Sequence, residues 1–117
     1  MFVNAQSTKD SLLDVFDQTE EPTSILKVGS HILNEIESYQ DESYSKVYKK
    51  IFKAVKKANI RKKEYSYIRD CIYHQTRFGA HEDAEELVNW SIKNIKDIDK
   101  KNFKARLYHA KARLLSY

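Results

Sequence analysis

Glycine and proline are almost absent from this chain, which has two glycines and one proline among 117 residues. Strand-rich sandwiches and barrels depend on these residues for their many tight turns. Their scarcity therefore favours helices. Apolar residues also recur at spacings of three and four, which is the period of one helix face. We expect residues 1–117 to form a single all-α domain.

The apolar spacing predicts about six helices. Thr23 or Ser24 is expected to cap the second helix, which continues to about Tyr39, and Gly29 within it allows close approach of a neighbouring helix. Gly79 follows the fourth helix, at the position where glycine favours a helix end. The predicted helices cover residues 7–18, 24–39, 43–59 and 61–78, then one directly after Gly79 and one after residues 96–101.

The two parts of the chain carry opposite charge. Residues 1–42 hold two lysines against nine acids, whereas residues 43–117 hold 19 lysines and arginines against eight acids. We interpret residues 1–22 as an acidic N-terminal arm and residues 23–117 as helical hairpins. A basic region of this kind favours an acidic protein or a nucleic acid as partner. Lysines outnumber arginines 16 to 5, and this ratio weakens the case for base recognition.

Cysteine usage and the start of the chain bear on location. Cys71 is the one cysteine of the sequence, so an intramolecular disulfide is excluded and a reducing compartment is favoured. No basic segment followed by an apolar run opens the sequence, and no apolar stretch is long enough to cross a membrane. We expect a cytoplasmic protein without a membrane partner. The excess of Lys, Ile, Asn and Tyr is typical of an AT-rich genome, such as that of a bacterium or its phage.

Pairing the second helix with the third, and the fourth with the fifth, gives hairpins with a period near 37 residues, within the range of helical repeats. Residues 79–92 resemble the turn and second helix of a tetratricopeptide repeat. Gly79 matches its turn glycine, Ala84 and Ser91 its small positions, and Val88 its large apolar position. Residues 104–112 are similar to the first helix of a following unit, so the resemblance covers residues 79–112.

The resemblance implies stacked hairpins with a concave groove that binds peptides or protein segments. The sequence departs from the repeat at Ile72, which stands where a small glycine packs. A compact helical bundle has the same apolar stripes, and both architectures stay open. The function implied is a non-catalytic interaction module, a regulatory or inhibitory adaptor of bacterial or phage origin.

Candidate groups for catalysis or metal binding are sparse. His81 and Glu85 are four residues apart on one helix, but the second histidine of a zinc-protease motif is missing. Cys71 has His74 and His31 as candidate bases, yet it belongs to an apolar helix face, where a buried and inert thiol is usual. We therefore predict no enzyme activity, no metal site and no cofactor.

Aromatic residues away from the apolar stripes are the better candidates for contact with a partner. Tyr44, Tyr48 and Tyr65 fit the core, whereas Tyr67, Tyr73 and Trp90 do not. Large aromatic side chains and arginine are enriched where proteins bind one another. We predict a protein-binding groove between the third, fourth and fifth helices, with contacts from Tyr67, Arg69, Tyr73, Arg77, Trp90 and Lys93.

Two further surfaces are predicted. A basic face would bind nucleic acid in the alternative function, through Lys46, Lys49, Lys50, Lys53, Lys56, Lys57, Arg61, Lys62 and Lys63. Leu114, Leu115 and Tyr117 are predicted to support self-association, since the end of a repeat array needs a cover. A homodimer is expected from this surface.

Overall fold

The computed structural model describes residues 5–95 and 101–116, and within them it contains α-helices and no strands. The predicted all-α fold is confirmed. The helices are α1 (Ala5–Gln18), α2 (Pro22–Asn34), α3 (Tyr44–Lys57), α4 (Lys62–Phe78), α5 (His81–Asn94) and α6 (Lys101–Leu115). Most ends lie within one or two residues of the predicted ones, which is the usual uncertainty of a helix end.

The helices form two rows. Helices α2, α4 and α6 pack side by side in that order, and α3 packs on α2 while α5 packs on α4 and α6. Helix α1 packs on α2 and also contacts α3, where Lys50 Nζ lies over the Phe16 ring at 4.7 Å from its centre. Tyr44 joins α3 to α5 through Asp83. The even-numbered helices therefore line one side of the molecule and the odd-numbered helices the other.

A continuous apolar core lies between the rows. Removing each large aliphatic or aromatic side chain from water contributes roughly 1.5–3 kcal/mol. Tyr65 of α4 stacks on Phe103 of α6 with ring centres 4.2 Å apart, which fixes the two helices side by side. Tyr44, Tyr48 and Tyr65 are buried as predicted. The side chains that are almost fully enclosed include Phe16, Leu26, Ile32, Leu33, Ile36, Val47, Ile51, Val55, Ile68, Leu87 and Val88.

Gly29 lies where α2 packs closely against Ile51 of α3 and Phe16 of α1. A Cβ atom placed there would lie 2.5 Å from Cγ1 of Ile51 and 3.3 Å from the Phe16 ring. Such distances leave no room for a methyl group unless Ile51 shifts. The predicted role of Gly29 in helix approach is confirmed.

Helix α2 ends earlier than the sequence predicts. It stops at Asn34, so the expectation that it continues to Tyr39 is wrong, and Tyr39 is exposed instead of lying on the buried stripe. The helix end is held by α4. The Arg77 guanidinium donates to the carbonyl oxygens of Leu33 at 3.3 Å and Ile36 at 3.1 Å, and the Leu33 carbonyl also accepts from the Ile36 amide at 3.3 Å.

The start of α2 also differs from the prediction. The Glu21 carboxylate accepts hydrogen bonds from the backbone amides of Thr23 at 2.7 Å and Ser24 at 3.1 Å. Glu21 is therefore the cap in place of Thr23 or Ser24, which both lie in the first turn behind Pro22. The amide of Thr23, followed by that of Ser24, holds the pKa of Glu21 below its ordinary value.

Gly79 ends α4 as predicted. Its φ is 97°, in the left-handed region that glycine adopts without steric cost, and its amide donates to the Gln75 carbonyl at 3.1 Å. The next residue, Ala80, donates to the same carbonyl at 2.8 Å, and α5 begins at His81. This two-residue connection makes α4 and α5 a tight hairpin.

Candidate functional site

A groove of about 970 Å³ lies between α4 and α6, on the side of the even-numbered helices. Ligand sites fall in the range of roughly 300–1,000 Å³, so the groove is large enough for a segment of several residues. Its lining residues are Arg69, Ile72, Tyr73, Thr76, Arg77 and Phe78 from α4, Ala105, Arg106, His109, Ala110 and Arg113 from α6, and Glu37, Gly79 and His81 around one end.

Helix geometry explains why these side chains share the groove. Arg69, Tyr73 and Arg77 are four residues apart, so they form one stripe along α4. Arg106 and Arg113 are seven residues apart, two turns along α6, and form a second stripe. Because the Tyr65–Phe103 stack holds the two helices together, the stripes line opposite sides of the groove.

Positive charge dominates the groove lining. Four arginines and two histidines line it, and Glu37 is the acid among the lining residues. Ile72 and Phe78 are buried and form an apolar floor, while the Tyr73 ring is 60% exposed. A concave surface lined by one sign of charge concentrates the field and attracts ions of the opposite sign. Arginine also binds carboxylates through two parallel hydrogen bonds.

Arg77 has a structural role as well as a place in the groove. Besides the α2 carbonyls, its guanidinium lies 3.4 Å from Nδ1 of His74. Burial, and then the positive charge of Arg77, lower the pKa of His74 below its ordinary value. The neutral imidazole is thus favoured, and its unprotonated nitrogen is able to accept a hydrogen bond from Arg77.

The structure divides the six residues predicted to bind protein. Arg69, Tyr73 and Arg77 line the groove. Tyr67 is half-buried and packs against the core, and Trp90 is half-buried with its ring edge-on to Phe52, 6.5 Å between centres. Lys93 is exposed on α5, away from the groove.

The groove has a different position from the one that the sequence predicted. The space between α3, α4 and α5 is filled by core side chains and by a network of buried hydrogen bonds. Four lining residues are absent from the groove that the sequence predicts: His81, Arg106, His109 and Arg113. The spacing of Arg106, His109 and Arg113 on α6 is the signal that shows them to share one side of that helix.

The predicted nucleic-acid face is partly occupied by contacts within the molecule. Lys46 lies 3.3 Å from Asp17, Lys50 donates to the Phe16 carbonyl, and Lys56 lies over the Phe52 ring at 4.2 Å from its centre. The other members of the predicted face are exposed: Lys49, Lys53, Lys57, Arg61, Lys62 and Lys63. The face is therefore a set of separate cations along α3 and the start of α4.

The hydrogen-bond network between α3, α4 and α5 centres on Tyr44. Gln75 Nε2 donates to the Tyr44 hydroxyl at 2.9 Å, and this hydroxyl donates to Oδ2 of Asp83 at 2.8 Å. Tyr48 donates to Oε1 of Glu86 at 2.8 Å. Burial raises the pKa of both tyrosines far above the ordinary value, and the acceptor carboxylates raise it further. Burial also raises the pKa of Asp83, although the Tyr44 bond opposes this.

The remaining candidate residues are placed as follows. Cys71 is fully buried as predicted, and burial raises the pKa of its thiol. Within residues 5–95 and 101–116, no cluster of His, Cys, Asp or Glu has the arrangement needed to hold a metal ion. Leu114 is buried and Leu115 is 66% exposed, while Tyr117 lies outside the described residues.

The described residues thus form a small all-α protein with an arginine-lined groove between α4 and α6, two neighbours in the even-numbered row. No protein-family model, no curated protein and no solved structure matches this chain. None of the helices in the described part of the chain combines the length and the apolar character that a membrane span requires.

Proposed function

We propose that this protein is a non-catalytic interaction module that binds an acidic segment of another protein in the groove between α4 and α6. The observation that carries the proposal is the lining itself, in which the charge of four arginines outweighs that of Glu37. An acidic peptide would neutralise this charge, and its apolar side chains would contact Tyr73 and the floor at Ile72 and Phe78.

The order of helix packing supports the proposal. Helices α2, α4 and α6 lie side by side. Helix α2 packs on α3, and α5 packs on both α4 and α6. This order is the one expected for stacked helical hairpins, and the resemblance of residues 79–112 to a tetratricopeptide repeat implies a peptide groove in such a stack. A groove between two neighbouring helices of the even-numbered row is in keeping with that expectation.

Selection from a peptide library tests the proposal. Peptides of about ten residues are long enough to span the groove at roughly 3.3 Å per residue. The wild-type protein should enrich peptides rich in Asp and Glu. Arg106→Ala/Arg113→Ala should lose this enrichment, because both arginines are exposed and line the groove. Lys53→Ala/Lys57→Ala removes the same charge from α3 and is the matched control, which should select as the wild type does.

Two outcomes would contradict the proposal. One is the absence of any enrichment for acidic peptides, and the other is equal enrichment by the groove variant and the wild type. Nucleic-acid binding is the alternative, and it predicts retardation of RNA or DNA at low salt that is lost in Lys53→Ala/Lys57→Ala. Retardation that depends on α3, without peptide selection, would replace the proposal by the alternative.

A further inference from the structure

Exposed apolar side chains mark two surfaces outside the groove. Among the described residues, Tyr73 lines the groove and Tyr39 lies beside Gly79 at its end. The other large apolar side chains that are more than half exposed lie on the outer faces of α1 and α6: Val15 at 53%, Tyr108 at 56% and Leu115 at 66%. Tyr108, Ala112 and Leu115 are spaced by four and three residues, so they form one strip along α6.

The same two helices have charges of opposite sign. In the described part of α6 every charged side chain is basic: Lys104, Arg106, Lys111 and Arg113. Lys104 is four residues before Tyr108 and Lys111 three residues after it, so both lie along one edge of the apolar strip. On α1 the acidic residues Asp10 and Asp14 are exposed four residues apart on one face, and the exposed Val15 follows Asp14 on the adjoining face, whereas Lys9 is paired with Asp41 at 2.8 Å. The outer face of α1 is therefore acidic.

The packing order places these faces at opposite ends of the molecule. Helix α1 packs on α2, α2 on α4, and α4 on α6. The acidic face and the basic face of one copy are therefore separated by the row of helices between them. A contact between α6 of one copy and α1 of the next is heterologous, because it joins two different faces. It leaves one copy with a free α1 face and the other with a free α6 face.

We propose that a second copy of this chain docks head to tail, with the Tyr108–Leu115 strip of one copy on the Val15 face of the other. Lys104 and Lys111 then approach Asp10 and Asp14 of the second copy, and the apolar side chains of both faces are removed from water. This self-association uses neither the groove nor its arginines. One helix face covers less than the roughly 1,200 Å² of a standard interface, so the association is weak and depends on concentration and salt.

Sedimentation equilibrium with two complementary variants tests this arrangement. Asp10→Asn/Asp14→Asn/Val15→Ser removes the α1 face, and Tyr108→Ser/Leu115→Ser removes the α6 strip. The wild-type mass should rise above the 13.8 kDa of one chain as concentration increases. Each variant alone should stay at the mass of one chain. Their equimolar mixture should form a dimer and nothing larger, because each variant keeps the face that the other has lost.

Controls distinguish a specific loss of self-association from unfolding of the variants and from the loss of any exposed apolar side chain. Tyr73→Ser removes an aromatic side chain of similar exposure, 60%, from the groove and should associate as the wild type does. Lys104→Glu/Lys111→Glu is a second α6 variant and should also stay at the mass of one chain. Circular dichroism melting should show that all variants unfold near the wild-type temperature.

Three results would overturn the proposal. A wild-type mass of 13.8 kDa at every concentration excludes the contact. An α1 variant that still dimerises indicates a symmetric contact between two α6 helices. A mixture of folded variants that remains monomeric shows that the two faces do not bind one another.

Discussion

The Tyr44 hydroxyl donates a hydrogen bond to Asp83 Oδ2 at 2.8 Å and thereby ties α3 to α5. The same hydroxyl accepts from Gln75 Nε2 on α4, so one oxygen links three helices. Tyr44 is 4% exposed and packs its ring edge-on to Phe78, with 5.1 Å between centres. This contact fixes the odd-numbered row against α4, whose opposite side forms the groove.

Removing the hydroxyl should destabilise the fold. Tyr44→Phe keeps the ring but leaves the buried Gln75 amide and the Asp83 carboxylate without this partner, which costs about 1–3 kcal/mol of unfolding free energy. Urea denaturation measures the change. Tyr73→Phe is the matched control, since its ring is 60% exposed, and it should change stability by less than about 0.5 kcal/mol. Equal unfolding free energies for Tyr44→Phe and Tyr73→Phe would show that the Tyr44 hydrogen bonds contribute nothing to stability.

The Lys9–Asp41 pair predicts a pH dependence of stability. Burial disfavours the Asp41 carboxylate, but the hydrogen bonds from Lys9 and Ser43 outweigh it and hold the pKa below its ordinary value of 3.8. A carboxyl whose pKa is lower in the folded state stabilises the fold above the unfolded-state pKa, and this contribution is lost as the pH falls through the folded-state value.

Asp41→Asn should therefore unfold more easily than the wild type at neutral pH, by about 1 kcal/mol, and the difference should shrink between neutral and strongly acidic pH. Denaturant titrations between these limits measure it. Asp14→Asn changes an exposed carboxylate of α1 and serves as the control, with a change in stability of less than about 0.5 kcal/mol at neutral pH. A constant difference between Asp41→Asn and the wild type at all pH values would contradict the assignment.

The close contact between Gly29 and Ile51 should couple the stability effects of substitutions at these two positions. Gly29→Ala gains helix propensity of about 1 kcal/mol but forces the Ile51 side chain to move, and overpacking of this kind costs about 1–3 kcal/mol. Ile51→Ala removes the obstructing atoms, which lie 2.5 and 2.7 Å from the added methyl position. A double-mutant cycle should show that Gly29→Ala is less harmful, or stabilising, when Ile51 is alanine. Additive effects would show that the two residues do not meet.

Two arginines of the groove, Arg77 and Arg106, should differ in their effect on stability but not in their effect on peptide binding. Arg77→Ala removes the hydrogen bonds to the Leu33 and Ile36 carbonyls and should lower the unfolding free energy by about 1 kcal/mol. Arg106→Ala removes an exposed side chain and should change stability by less than about 0.5 kcal/mol. Both should weaken binding of a selected acidic peptide by at least about tenfold, which is 1.4 kcal/mol. An Arg106→Ala variant with wild-type peptide affinity would contradict the groove assignment.

Local signals in the sequence were enough for the helices and for the end of α4. The spacing of apolar residues and the position of Gly79 act within a few residues of the chain, and both expectations are confirmed. The end of α2 was not predictable in this way. The carbonyls of Leu33 and Ile36 accept hydrogen bonds from Arg77, more than 40 positions away in the chain, and no local pattern records that contact.

The position of the groove could not be predicted from local sequence patterns either. The sequence singles out Tyr73 because it lies away from the apolar stripes, but it assigns Tyr73, Arg69 and Arg77 to a space that the Tyr44 network fills. Their actual partners on α6, Arg106 and Arg113, follow from the packing of α6 beside α4. Trp90 looked like a contact residue because its neighbours on α5 are polar, yet Phe52 of α3 covers part of its ring.

Binding of an acidic peptide between α4 and α6 is the central claim, and amide chemical-shift mapping tests it most directly. A library-selected acidic peptide should be titrated into the isotope-labelled wild-type protein. The largest shifts should fall on Arg69, Tyr73, Arg106 and His109, which line both sides of the groove. Shifts confined to the exposed lysines of α3, or the absence of saturable shifts at the groove, would contradict the claim.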